Sequence, residues 1–366
     1  MSKLSFVMPL LLSACLSLLI TGIVRYYAVK KNILDRPEME PKRKIHVQPI
    51  PLLGGISIFA AFHLATLWYT VVNPRLLGGY ILPKHLATLF LSGLFIMIGG
   101  YIDDRYRIRF QYQILLPLVA ILIVIAGGIG IEYITNPLGG TIALNQWSIT
   151  LFTANDLPYK ITLLADVFTI VWLLTTSYTT KLLDGLDGLV SGITVIAGFI
   201  LFFLSLNTEI GQPETALLSM ILTGSFLGFL CWNYHPAKIF LGEGGSLFAG
   251  FMLGTLAILS GAKIATALLL LGIPLLDLIW VILRRLFIEK KHPLKTSDKK
   301  HIHFRLLDIG LSHRQAVHIL YGISLIFGLL SLFVTSRGIL WLFAGLVGLM
   351  ILLGSVLVIK AKQRRT

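Results

Sequence analysis

The sequence predicts an all-α fold, a polytopic bundle of about eleven transmembrane helices with the N-terminus outside and the C-terminus cytoplasmic. Hydrophobic residues make up 56% of the chain, charged residues only 13%, and the mean hydropathy is +0.84. So few charges cannot build a soluble surface. Apolar runs of about twenty residues, long enough to cross a hydrocarbon core at about 1.5 Å per residue, recur throughout the 366 residues.

The runs fall at 5–26, 50–72, 86–102, 113–131, 161–177, 188–206, 215–233, 246–261, 264–287, 315–335 and 338–359. They are continuous rather than alternating, which excludes a barrel and leaves helices as the spanning element. In the first run, Leu12-Ser13-Ala14-Cys15 resembles a lipoprotein processing site preceded by Lys3. The apolar run nevertheless continues to Ile20, and Arg25, Lys30 and Lys31 follow it, the pattern of a retained helix. Residues 1–366 therefore form one membrane domain, with cytoplasmic loops expected near 27–49, 103–112, 178–187, 234–245 and 288–314.

The distribution of Lys and Arg sets the expected orientation. An external N-terminus puts Lys3, Arg75, Lys84, Lys160, Lys263 and Arg337 outside and the rest of the 31 basic residues inside, including the tail from Lys360 to Arg365. The net charge of +14 lies largely beside the spans, where orientation and anionic lipid explain it, and it argues against nucleic acid as a partner. Two cysteines, Cys15 and Cys231, are too few for a disulfide or metal framework and read as packing residues.

Carboxylates are costly near a membrane, and here they gather at the expected inner ends of spans. Asp103 and Asp104 close the third run, Asp184 and Asp187 lie in Asp-Gly-Leu-Asp-Gly between the fifth and sixth, and Glu243 lies in Gly242-Glu-Gly-Gly-Ser246 before the eighth. Lys44, His46, Lys238 and the stretch Asp298-Lys-Lys-His301-Ile-His303-Phe-Arg305 belong to the same side. Acids beside bases at a bilayer surface suit metal-assisted chemistry on phosphates. Taken singly, each motif has a plainer reading. Asp-Asp can be a solvated helix end, Asp-Gly-Leu-Asp-Gly a turn, the Gly-rich segment a flexible helix entry or an anion-binding one, and His301 and His303 surface residues. Their joint occurrence on one face favours a site. Asp277, inside the ninth run, is either functional or paired with Arg284 or Arg285, and His63 reads as a packed histidine.

The ordered set Lys44-x-His46-x-x-Pro49-x-Pro51-x-x-Gly54-Gly55, Asp103-Asp104-Arg105, Asp184-Gly-Leu-Asp187-Gly-Leu, Asn233-Tyr-His-Pro236-Ala-Lys238, Gly242-Glu-Gly-Gly-Ser246 and His301-Ile-His303 resembles the polyprenyl-phosphate N-acetylhexosamine-1-phosphate transferases. The resemblance covers nearly the whole chain. The His-Ile-His form and the eleven spans are closer to the undecaprenyl-phosphate GlcNAc-1-phosphate transferases than to the phospho-MurNAc-pentapeptide translocases.

The resemblance implies a multi-pass protein of the cell membrane, with its active site facing the cytoplasm. It would pass a sugar 1-phosphate from a UDP-N-acetylhexosamine to undecaprenyl phosphate and release UMP, the first membrane step of an envelope polysaccharide. It implies catalytic roles for Asp103, Asp104 and Asp187, and substrate contacts from Lys44, His46, Lys181, Asp184, Asn233, Lys238, His301, His303 and Arg305. It also implies Mg²⁺, for which Asp104, Asp184, Asp187 and Glu243 are available and Glu243 and Asp187 are the expected ligands. Homodimers occur in the superfamily.

Three positions depart from the family pattern: Lys181 replaces an Asn, Glu243 an Asp, and Gln113 a Lys. Opposite charges at 181 and 243 would attract. Either the Lys181 ammonium supplies part of the charge that Mg²⁺ gives elsewhere, or it contacts nucleotide phosphates while Mg²⁺ stays on Glu243 and Asp187. A membrane transporter and a family member that binds without turnover are the alternative functions.

Overall fold

The computed structural model describes residues 4–39, 46–77, 79–136, 140–154, 157–207, 211–261, 268–269, 271–288, 290 and 301–363. Among them, eight helices are long and apolar enough to cross a membrane. In chain order the helices are α1 (Leu4–Lys30), α2 (Gly54–Val72), α3 (Pro83–Tyr106), α4 (Phe110–Gln113), α5 (Leu115–Ala126), α6 (Leu163–Leu183) and α7 (Leu189–Ser205). They continue with α8 (Pro213–Asn233), α9 (Gly242–Leu259), α10 (Gly272–Leu283), α11 (Ile302–Asp308), α12 (His313–Ser331) and α13 (Ser336–Gln363). Each apolar run thus yields one main helix, although only residues 272–283 of the ninth are described as α-helix, followed by a π-helical stretch at Arg284–Ile288. The helices at 115–126, 189–205 and 272–283 are shorter than their runs.

The sequence reading did not anticipate strand. β1 (Leu34–Asp35) pairs antiparallel with β2 (Ile50–Pro51), and two hairpins, β3 (Tyr133–Thr135) with β4 (Thr141–Ala143) and β5 (Ser148–Ala154) with β6 (Leu157–Thr162), fill the connection from α5 to α6. Threonines and isoleucines in these segments suit extended backbone. Asp166 closes that region by accepting a hydrogen bond from the Thr162 N–H at 2.8 Å at the start of α6.

α9 is the centre of the bundle: 89% of its apolar window is buried, against 11% for α13. Lipid tails give helices no hydrophobic reason to associate, so close packing and interhelical hydrogen bonds must hold them. Gly250 and Gly254 supply both on the α6 side. A Cβ at Gly250 would lie 2.1 Å from the Thr176 carbonyl oxygen. Trp172 Nε1 donates to the Gly254 carbonyl at 3.1 Å, and the Thr180 hydroxyl donates to the Ser246 carbonyl at 2.7 Å. α1 lies on α8, with Trp232 Nε1 donating to the Leu18 carbonyl at 3.0 Å.

One expectation about single residues needs correction. Cys15 and Cys231 are free thiols on exposed faces of α1 and α8, where lipid rather than protein would meet them. Asp277 accepts from His301, as described below. His63 is a packed histidine, among Phe59, Phe62, Phe90 and Phe248, with its Nδ1 2.9 Å from the Phe59 carbonyl.

Candidate active site

The Gly-rich segment that opens α9 is a packing joint between helix ends, a role the sequence did not suggest. A Cβ at Gly55 would meet Gly245 Cα at 2.3 Å, and one at Gly100 would meet Gly244 Cα at 2.2 Å. The Gly54 and Gly55 N–H groups donate to the carbonyls of Phe240 and Leu241 at 3.0 and 2.7 Å. Backbone on backbone at three helix ends fixes where the side chains at 103, 104 and 243 stand. Gly242 itself has φ 71°, a left-handed value that favours glycine, and the space beside its Cα is taken by the Asp104 carboxylate.

Asp104 accepts from the Glu243 N–H at 3.1 Å, so one of the free donors at the start of α9 is met by a carboxylate of α3. Asp103, 7% exposed, accepts from the Ile108 N–H at 2.9 Å across the turn that ends α3, where Arg107 has φ 52°. Lys181, near the end of α6, points into the same space. Its Nζ lies 2.7 Å from Glu243 Oε2 and 2.9 Å from Gln113 Oε1. Of the three residues that depart from the family pattern, Lys181 therefore touches both of the others.

Beside them, α3, α4, α5, α6 and α9 line a small open depression. Asp103, Gln113, Lys181 and Glu243 line one side, and Ile96, Leu116 and Leu247 contribute to an apolar wall.

Asp184 and Asp187 follow in the turn between α6 and α7. Solvent reaches Asp184, yet protein rings it. That restricted hydration, followed by the charges of Glu243 and Asp187, pushes its carboxyl up to about 8. No hydrogen-bond donor meets the Asp184 carboxylate among the described residues. Asp187 Oδ2 accepts from His235 Nδ1 at 2.7 Å and from the Ala237 N–H at 3.0 Å. His235 stacks on His313 with centroids 4.0 Å apart, and Arg314 Nη2 donates to the His235 carbonyl at 2.9 Å. The start of α12, fixed by a Ser312–Gln315 capping box, thereby holds the loop that orients Asp187.

The other candidates sit around this centre. Asn233 ties the start of α7 to the loop after α8: its Oδ1 accepts from the Gly188 N–H at 3.1 Å and from Ser191 Oγ at 2.8 Å, and its Nδ2 donates to the Ile239 carbonyl at 3.0 Å. Lys238 is exposed and lies over the Trp232 ring, 5.7 Å from its centroid. His46 is held between the Gln48 carbonyl, 2.8 Å from Nδ1, and Asp35 Oδ2, 3.0 Å from Nε2, with Phe240 edge-on to its ring.

His301 Nδ1 donates to Asp277 Oδ2 at 2.7 Å, and the Ile302 N–H donates to Asp277 Oδ1 at 2.9 Å. His303, fully buried, stacks parallel to His301 and presses on Gly185, where a Cβ would meet its Nε2 at 2.2 Å. Arg305 lies on α11 beside them. Lys44 and the 298–300 stretch lie outside the described residues.

The structure therefore gathers Asp103, Asp104, Lys181, Asp184, Asp187 and Glu243 at one end of the bundle, with His303 against the same turn. Sequence reasoning missed His235 and His313 as partners of Asp187, and Gln113 as a partner of Lys181. His235 does fall inside a quoted motif, but nothing in its spacing points to residue 187.

The family model for glycosyl transferase family 4 matches residues 86–261, which contain Asp103, Asp104, Asp184, Asp187 and Glu243. The chain is 30% identical to the probable undecaprenyl-phosphate N-acetylglucosaminyl 1-phosphate transferase of Bacillus subtilis (strain 168), over 92% of this chain and 86% of that protein. The chain belongs to glycosyl transferase family 4. Other family relatives are the decaprenyl-phosphate N-acetylglucosaminephosphotransferase of Mycolicibacterium smegmatis, 31% identical over 85% of this chain and 77% of that protein, and the phospho-N-acetylmuramoyl-pentapeptide-transferase of Symbiobacterium thermophilum, 32% identical over 76% and 80%.

Proposed function

We propose that this family member transfers N-acetylglucosamine 1-phosphate from UDP-GlcNAc to undecaprenyl phosphate and releases UMP. The observation that carries the reading is the carboxylate cluster with one resident ammonium at the edge of an apolar-walled depression. Such a place suits a phosphate with a lipid tail on one side and a nucleotide on the other. The names of the relatives supply the identity of the substrates.

In the proposed reaction an oxygen of the lipid phosphate bonds to the sugar-bearing phosphorus, the bridge to the uridine phosphate breaks, and UMP leaves with that bridging oxygen. A phosphate monoester has its second pKa near about 6, so the nucleophile is largely dianionic at neutral pH and no side chain need take a proton from it. Position and charge are what the residues must supply.

Glu243, Asp184 and Asp187 offer the hard carboxylate oxygens that Mg²⁺ takes, and Asp187 also stands with His235 and His313 in the one grouping of three metal-capable side chains within 4.8 Å of one another among the described residues. Glu243 and Asp187 would hold the ion, with Asp184 beside them. When bound, it would offset charge on the diphosphate.

The same reading puts the chain in the cell membrane with the N-terminus outside and the site facing the cytoplasm, where the nucleotide sugar is made. The charges stand at one end of the bundle rather than at its middle, which disfavours a transporter. The test is UMP release from UDP-GlcNAc by the purified protein with undecaprenyl phosphate and Mg²⁺. Release that needs all three is expected. A folded protein that releases no UMP would overturn the reading.

A further inference from the structure

Lys181 brings its charged end to the carboxylate cluster and spends its charge on Glu243. The pair is close at 2.7 Å, and Gln113 holds the ammonium from the other side at 2.9 Å. The Lys181 side chain is only 14% exposed, so water does little to loosen it. An ammonium and a divalent cation compete for a carboxylate oxygen, because both are drawn by the same negative charge and repel each other at such a separation.

We propose that Lys181 is a resident counter-ion that exchanges with the metal. In the metal-free protein it neutralises Glu243. When a divalent cation takes the Glu243 oxygens, the ammonium stays on Gln113 and turns to a substrate phosphate at the polar edge of the depression. No bond is made or broken in the exchange; one cation replaces another, and the displaced charge moves to the anion that arrives.

The placement of Gln113 supports this. It belongs to α4, while Lys181 belongs to α6 and Glu243 to α9. The amide also donates to the Ile108 carbonyl at 3.2 Å, so its oxygen is fixed towards Lys181 whatever Glu243 does. The anchor on Gln113 is therefore independent of the one that the metal removes. Asp103, Ile96 and Leu247 line the same depression, so the ammonium stands where a polar wall gives way to an apolar one. A phosphate ester at that boundary is the ligand such a charge would meet. It could belong to the lipid or to the nucleotide sugar.

This inference rests on the proposed reaction for its second half, so the experiment separates the two. Mg²⁺ binding is read without substrate, from the rise in melting temperature of the protein in nanodiscs during a Mg²⁺ titration. Lys181→Met should bind Mg²⁺ roughly tenfold more tightly than the wild type, and Gln113→Lys, which adds a second ammonium, should bind it more weakly. The double variant Lys181→Met with Gln113→Lys should return to near the wild-type value, because an ammonium again stands beside Glu243. Metal affinity unchanged or weakened in Lys181→Met, in a protein that still melts cooperatively, would overturn the exchange.

UMP release is the second readout. Lys181→Met should lose turnover at saturating Mg²⁺, and its KM should rise for one of the two substrates. A rise for undecaprenyl phosphate assigns the ammonium to the lipid phosphate, and a rise for UDP-GlcNAc assigns it to the diphosphate. Unchanged KM values and turnover would overturn the second half. If the wild type itself releases no UMP, the proposed reaction fails while the Mg²⁺ titration still decides the exchange.

Discussion

At the scale of single residues, the site is a balance of negative charge. Asp104 meets a helix N–H, Asp187 meets His235 and the Ala237 N–H, Glu243 meets Lys181, and Asp184 stands without a donor among the described residues. Asp187→Ala and Asp104→Ala should each cut UMP release at least about a hundredfold while the protein stays folded and inserted. His235→Ala removes one of two donors to Asp187 and should cost about tenfold, less than removing the carboxylate.

Asp184 gives a pH prediction with a definite sign. Its folded-state pKa, pushed up to about 8, lies above the unfolded value near 3.8, so between those limits the folded protein holds a proton that the unfolded chain has lost. The stability it contributes is present below the lower limit and is lost as pH rises towards the upper one. Melting temperature in EDTA should therefore fall from pH 5 to pH 8.5, and Asp184→Asn should flatten that slope. An equal slope in the variant would remove Asp184 as its cause.

At the scale of elements, the packing of α2 and α3 against the start of α9 sets the geometry. A methyl at Gly55 or Gly100 would fall within 2.3 Å of the opposing backbone, and backbone cannot rotate out of the way as a side chain can. Gly55→Ala and Gly100→Ala should each destabilise the protein by roughly 1–3 kcal/mol and cost activity as well, because the shift separates Asp104 from Glu243. Melting curves and UMP release measured together check this.

A second element-scale prediction concerns α11, which Asp277 of α10 ties down through His301 and the Ile302 N–H. Asp277→Ala leaves a buried N–H and an imidazole unmet, at a cost of about 1–3 kcal/mol. Amide hydrogen exchange over residues 301–308 should accelerate more than exchange in α9.

At the scale of the whole molecule, the helix ends that carry the site lie opposite the hairpins β3–β4 and β5–β6. If the charge bias sets the orientation, the hairpins are outside and the site is inside. In a Cys15→Ser, Cys231→Ser background, a cysteine at Thr141 should react with an impermeant thiol reagent on intact cells. One at Glu38 should react only after permeabilisation, and the reverse pattern would invert the orientation.

The sequence by itself determined the bundle, since continuous apolar runs at low charge leave no other spanning structure, and it determined the order of the acidic motifs that mark the family. It placed all five carboxylates among the candidates because charge beside a membrane is too costly to be scattered without use. Tertiary structure alone decided which side chains meet. Lys181 and Gln113 lie on different helices, Asp187 in a turn meets His313 of a later helix, and Asp277 reaches His301 across a loop. Helical periodicity describes the face of one helix and says nothing about its neighbour. The glycines of the segment 242–245 could be read in sequence as a flexible helix entry or as an anion site. Only the close approach of three backbones shows that their function is to let the carboxylates converge.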